Sequence, residues 1–128
     1  MRAVLLDTHA LLWWLADDAA LGQSARGIIA EPQNRVVVSA ATAWEIEIKR
    51  QLGKLTAPAD IEALVEEKGF ARLPISFFHG RQAGGLPLHH RDPFDRMLIA
   101  QAQAEGLELM TADPMFQAYA VRLIEADV

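Results

Sequence analysis

Short apolar runs, each handing over to a helical pattern, organise the chain. Arg2 to Leu6 is an apolar run of strand length that ends at Asp7 and feeds a helix from Ala10 to Ala16, with Thr8 as its N-cap. An apolar strand leading straight into a helix is the pattern of a parallel sheet covered on both faces. Asp17-Asp18 ends that helix, and Gly22-Gln23-Ser24 opens a short one through Ala30. Arg35 to Val38 is a second, β-branched strand ending at Ser39. Ser39 reads as the N-cap of a helix from Ala40 to about Leu52, stopped by Gly53. On that helix Ala41, Trp44, Ile48 and Leu52 make one apolar stripe, with Glu45 beside it.

The pattern continues with an amphipathic helix from Pro58 to Lys68, whose Glu62, Glu66 and Glu67 form a solvated face. Phe70 to Ile75 predicts a short edge strand, because Pro74 has no N–H to give a ladder. Ser76 caps a helix from Phe77 to about Ala83, and Gly84-Gly85-Leu86-Pro87 reads as the longest flexible connection. Asp92 is the N-cap and Pro93 the first residue of a helix reaching Ala104, with Asp95 in its first turn. Leu107 to Met110 is a further strand, and Asp113 caps a short helix from Met115 to Ala118. Val121 to Ile124 is a last short strand. The order β-α-α-β-α-α-β-α-α-β-β with right-handed crossovers predicts an α/β fold, with a parallel sheet of four or five short strands between helical layers.

Composition narrows this picture without changing it. The 128 residues suit one domain able to bury most of its apolar surface, and 52% hydrophobic with 23% charged residues is ordinary for a globular chain. With no cysteine, thiol catalysis and zinc–thiolate sites are excluded. Asp7 and His9 interrupt the N-terminal apolar run before a signal-peptide core is complete, and no run approaches the roughly 18 residues needed to span a bilayer. A soluble, cytoplasmic protein with no membrane partner is expected. The formal charge of −5 argues against a general nucleic-acid binder, but not against an enzyme whose acids hold divalent cations.

Those acids carry the chemistry. Asp7 and Asp113 end strands at the same edge of such a sheet, where open α/β sheets place their ligands. Glu45 lies within two turns of that edge and Asp95 enters from a helix start, so the four carboxylates can converge. Taken singly, each has an ordinary reading: a cap for Asp7, Asp95 and Asp113, and an i,i+4 pair with Lys49 for Glu45. Together they demand a counter-charge, since two carboxylates about 5 Å apart repel by roughly 3 kcal/mol at an effective dielectric near 20. Mg²⁺, or Mn²⁺, is the hard cation that oxygen ligands suit, and phosphodiester hydrolysis is the reaction that uses it best. His89, His90, Arg91 and Arg96 are candidates for the substrate phosphate. For the histidines a polar loop is the reading taken, and a zinc site at His89-His90 is disfavoured by their adjacency.

Leu5-Leu6-Asp7-Thr8-His9-Ala10-Leu11, Trp44-Glu45-Ile46, His90-Arg91-Asp92-Pro93-Phe94-Asp95-Arg96-Met97-Leu98-Ile99-Ala100-Gln101-Ala102 and Thr111-Ala112-Asp113 together resemble the PIN-domain family. More narrowly, the chain is similar to the VapC-like toxin ribonucleases of type II toxin–antitoxin pairs. The resemblance runs through the whole of residues 1–128 and implies a single PIN-like nuclease domain, a three-layer sandwich around a mostly parallel sheet. It also implies a Mg²⁺- or Mn²⁺-dependent endoribonuclease that cleaves RNA, silenced by a cognate antitoxin protein and commonly a homodimer. Asp7, Glu45, Asp95 and Asp113 match the family's acidic tetrad, as catalytic and metal-binding residues, and Thr111 matches a hydroxyl position beside it. Asp92 is extra to the tetrad, either a metal contact or only a cap. Of Trp13 and Trp14, at least one is expected in the core.

Two other functions compete. A haloacid-dehalogenase-like phosphatase also places an aspartate after its first strand, but needs an acid two residues on, where His9 stands. A non-catalytic module binding RNA or a partner would keep the fold without needing all four acids.

Overall fold

A computed structural model describes residues 1–128. Five strands, β1 (Ala3–Leu6), β2 (Arg35–Ser39), β3 (Ala71–Leu73), β4 (Glu108–Thr111) and β5 (Leu123–Glu125), form one sheet in the order β3-β2-β1-β4-β5. All four pairings are parallel. Six α-helices connect them: α1 (Thr8–Ala16), α2 (Gln23–Ala30), α3 (Ala40–Gln51), α4 (Ile61–Glu67), α5 (Phe77–Gly85) and α6 (Pro93–Glu105). A single 3₁₀ turn, Pro114–Ala118, lies between β4 and β5.

Alternation along the central strands divides the core in two. Val4 and Leu6 of β1, Val36 and Val38 of β2 and Met110 of β4 pack on one face with α1, α2 and α4, through Leu11, Ile29 and Val65 among others. Leu5, Val37 and Leu109 point to the other face and meet Leu98, Ile99 and Ala102 of α6. Helix α3 straddles the layers, giving Ile46 to the first cluster and Ala41 to the second. The three-layer α/β arrangement is the one expected, with the mostly parallel sheet entirely parallel. Both edge strands have only three residues, which leaves little unpaired ladder exposed.

The structure moves several expected boundaries. Helix α1 starts at Thr8 and not at Ala10, because the Asp7 carboxylate is the cap, its Oδ1 accepting from Ala10 N at 2.8 Å. Helix α4 starts at Ile61, capped by Asp60, so Pro58 and Ala59 stay outside it. Helix α5 continues through Gly84-Gly85, which are therefore not a flexible connection. The last strand is Leu123–Glu125, starting two residues later and ending one later than the apolar run suggests.

The largest correction is in α3. Of its apolar stripe only Ala41 is buried, while Trp44 (56%), Ile48 (36%) and Leu52 (60%) are exposed. The buried face carries Ala41, Thr42, Glu45 and Ile46 instead. A buried glutamate has partners there that make the rotation worthwhile, as the site shows. Trp13 and Trp14 are both half-buried against the first core cluster. No helix is long and apolar enough to cross a membrane.

Candidate metal centre

Parallel register brings the strand ends together. Leu6 of β1 stands opposite Met110 of β4, so the next residues, Asp7 and Thr111, leave the sheet side by side. Asp7 N donates to Met110 O at 3.0 Å, extending the ladder by one bond. Two residues beyond Thr111, Asp113 N donates to the Thr111 hydroxyl at 3.0 Å, and Asp113 Oδ1 caps the 3₁₀ turn by accepting from Met115 N at 2.9 Å. Helix α6 delivers Asp95 from its first turn, held by the Asp92 cap, which accepts from Phe94 N and Asp95 N at 2.9 and 3.0 Å. Glu45 comes from the second turn of α3.

These residues line one cleft of about 250 Å³, formed by Asp7, Thr8, His9, Glu45, Lys49, His90, Asp92, Asp95, Asp113 and Phe116. All four predicted acids are brought together, and Asp92 joins them while also capping α6. Larger hollows exist elsewhere, such as one of about 390 Å³ between β2, β3 and α4 and one of about 620 Å³ lined by Asp113, Glu125 and Asp127, but neither gathers the five carboxylates of this cleft.

The electrostatics are those of a site short of positive charge. Burial pushes the Asp95 carboxyl up to about 7, with the nearby Asp92 and Glu45 charges adding and the His90 contact opposing. Asp7, 5% exposed, is likewise raised by burial, against the hydrogen bonds from Thr111 and Ala10. Lys49 moves the other way: its hydrogen bond to Glu45, and the Asp92 and Asp95 charges beyond it, hold the ammonium protonated more firmly than usual.

Not every acid is equally open to a cation. Both Glu45 oxygens accept strong hydrogen bonds, Oε1 from Thr8 Oγ1 at 2.6 Å and Oε2 from Lys49 Nζ at 2.5 Å. Asp95 Oδ2 is 2.7 Å from His90 Nε2, which also lies 3.9 Å from Asp113 Oδ2. Ligand atoms of His90, Asp95 and Asp113 all fall within 4.8 Å of one another, a spacing one divalent ion can bridge. The donor set is carboxylate-rich with one imidazole and no sulfur, which fits Mg²⁺ or Mn²⁺.

Besides Asp92, the residues His90, Thr8 and Lys49 take part in this site, and Arg96 leaves it. His90, read from sequence as part of a polar loop, points into the cleft. Its backbone N donates to the Tyr119 hydroxyl at 2.9 Å and its ring lies beside Phe116. Nothing in the sequence around it separates it from an ordinary loop histidine. Thr8 is not a cap but the partner of Glu45, and Lys49 is both the ordinary i,i+4 partner and a cleft residue.

Arg96 is 8% exposed and turned to the loop before α6. Its guanidinium donates to the carbonyls of Ala83, Gly84, Leu86, Pro87 and His90 at 2.9–3.3 Å. With its donors committed there, it braces the segment carrying His90 instead of meeting a phosphate. Arg91 is exposed, Thr111 is buried between Asp7 and Asp113, and His89 packs edge-on to Tyr119 outside the cleft.

Comparison with known proteins bears on the family and the fold. The PIN domain family model matches residues 4–122. Ribonuclease VapC16 of Mycobacterium tuberculosis is 35% identical over 79 residues, covering 57% of this chain. The match spans about half, 55%, of that relative's length. Among solved structures, DNA-bound VapBC from Salmonella typhimurium has a TM-score of 0.69 at 20% identity, covering 97% of this chain and 98% of that one. VapBC2 from Rickettsia felis, bound to a promoter DNA fragment, has a TM-score of 0.67 at 13% identity, covering 96% and 98%. At these identities the structural likenesses are ones of fold, and the family model adds the rest: the chain belongs to the PIN-domain family.

Proposed function

We propose that residues 1–128 form a single metal-dependent endoribonuclease domain, the toxin of a type II toxin–antitoxin pair. The observation that carries this reading is the convergence of Asp7, Glu45, Asp95 and Asp113 on one small cleft. Family membership and a curated relative named as a ribonuclease support it. Asp7, Asp95 and Asp113 hold Mg²⁺ or Mn²⁺, with His90 orienting Asp95, while Glu45 acts through Thr8 and Lys49. The bound ion supplies an activated water and neutralises charge on the phosphate. The chain's own contribution is to fix the carboxylates on strand ends and a helix start, and to shape the cleft that receives the RNA backbone. Thr111 holds Asp7 and Asp113 in register, and Arg91, at the exposed edge of the α6 loop, is the arginine left for a substrate phosphate.

The partners follow the same reading. Solved relatives of this fold are VapBC complexes, so a cognate antitoxin is the expected protein partner, silencing the acids by a basic side chain or by covering the groove. Exposed Trp44, Ile48, Phe77 and Phe78 supply apolar surface for it and for a homodimer contact. The working compartment is the cytoplasm, where RNA and free Mg²⁺ are found.

The test is cleavage of RNA by the purified chain. Native protein cuts in the presence of Mg²⁺ or Mn²⁺ and stops on chelation, and Asp7→Asn folds but loses at least 100-fold in rate (about 2.7 kcal/mol of barrier). Cleavage that survives chelation, or an Asp7→Asn protein of full activity, contradicts the assignment.

A further inference from the structure

Lys49 is the one lysine or arginine among the residues lining the acid cleft. It is not a stray surface charge: its Nζ lies 2.5 Å from Glu45 Oε2, and the Glu45 side chain is 5% exposed. The other Glu45 oxygen takes the Thr8 hydroxyl at 2.6 Å, so both oxygens of this carboxylate are engaged from within the protein. Around Asp95 and Asp113 the arrangement differs. There Asp95 and Asp113, with His90 between them, present ligand atoms within 4.8 Å and no lysine or arginine among them.

We propose that Lys49 is a built-in counter-ion standing in for a second metal at Glu45, so that the site holds one divalent ion, at Asp95 and Asp113. This rests on the reading of the cleft as a metal centre and adds its stoichiometry. A second ion bound to Glu45 has to displace the ammonium or sit within a few ångströms of it, where like charges repel strongly in a partly buried cleft. The ammonium has three N–H donors, and Glu45 engages one. The others remain to hold a phosphate oxygen, which is the task of the second metal in two-metal sites. Glu45 on this account is a positioning residue: it places a lysine and does not coordinate.

Titration calorimetry of the RNA-free protein with Mn²⁺ tests this, since it counts ions without reference to activity. Native protein takes up one ion per chain, Lys49→Arg, which keeps the charge, also takes one, and Lys49→Met takes two. A lysine that only braced α3 would change stability and leave the count alone. Two ions in the native protein, or a Lys49→Met count that stays at one, overturns the proposal while leaving the metal centre intact. Native protein that is folded by circular dichroism yet takes up no Mn²⁺ overturns the metal centre as well.

Discussion

Glu45 shows how a single side chain can satisfy two readings at once. An i,i+4 glutamate–lysine pair on a helix is ordinary and worth a few tenths of a kcal/mol. That pair exists here, yet Glu45 is buried on the inner face of α3 among acids from three other segments. Neighbours along the helix are visible in sequence; the Thr8 hydroxyl, 37 positions away, is not. Asp95 illustrates the cost of such gathering. Its carboxyl moves from 3.8 to about 7 on folding, so between those values the folded protein keeps a proton that the unfolded chain has released. The resulting penalty is absent below the lower value and complete above the upper one, so metal-free stability falls as pH rises through that window. Asp7, raised in the same direction, deepens the fall. Asp95→Asn therefore raises the melting temperature of metal-free protein at pH 7.5 by roughly 3–8 °C, for about 1–2 kcal/mol of relieved desolvation and repulsion. The gain shrinks toward pH 4, and thermal melts across pH would show it; a variant less stable than native at pH 7.5 contradicts the account.

At the level of elements, caps and strand ends were the most legible features, because local chemistry decides them. Asp92-Pro93 opens α6 and Ser39 opens α3 as their residue types demand. The orientation of α3 was not legible: its apolar stripe predicts the wrong inner face, since periodicity weighs Trp44 and Ile48 but not the partners that make a buried Glu45 tolerable. The loop before α6 failed for a related reason. Two glycines suggest flexibility, yet one guanidinium from α6 collects carbonyls from Ala83 to His90 and holds that stretch in place. Arg96→Met removes those donors and leaves carbonyls without partners, costing about 2–4 kcal/mol. Arg96→Lys recovers little, because a point ammonium cannot fork across five acceptors. Urea denaturation of both variants checks this, and a lysine variant as stable as native protein contradicts it.

For the whole molecule, a parallel sheet with the order β3-β2-β1-β4-β5 converts distant sequence into adjacency. Strands β1 and β4 lie side by side at its centre, so residues 7 and 113 leave the same edge although 106 positions part them. Fully apolar strands made the sheet and its covering layers readable; His90 escaped because nothing local distinguishes a loop histidine from one aimed into a cleft. Acids so assembled leave a protein of net charge −5 with its negative potential focused at one point, which a small hard cation relieves. Stabilisation by that cation is the most direct measure of the central claim. Added Mg²⁺ or Mn²⁺ at millimolar concentration raises the melting temperature of the native chain by several degrees, following its binding free energy. Replacing Asp7 and Asp113 together by asparagine abolishes that rise. A native melt indifferent to either ion, or an equal rise in the double variant, would show that these side chains do not form one metal centre.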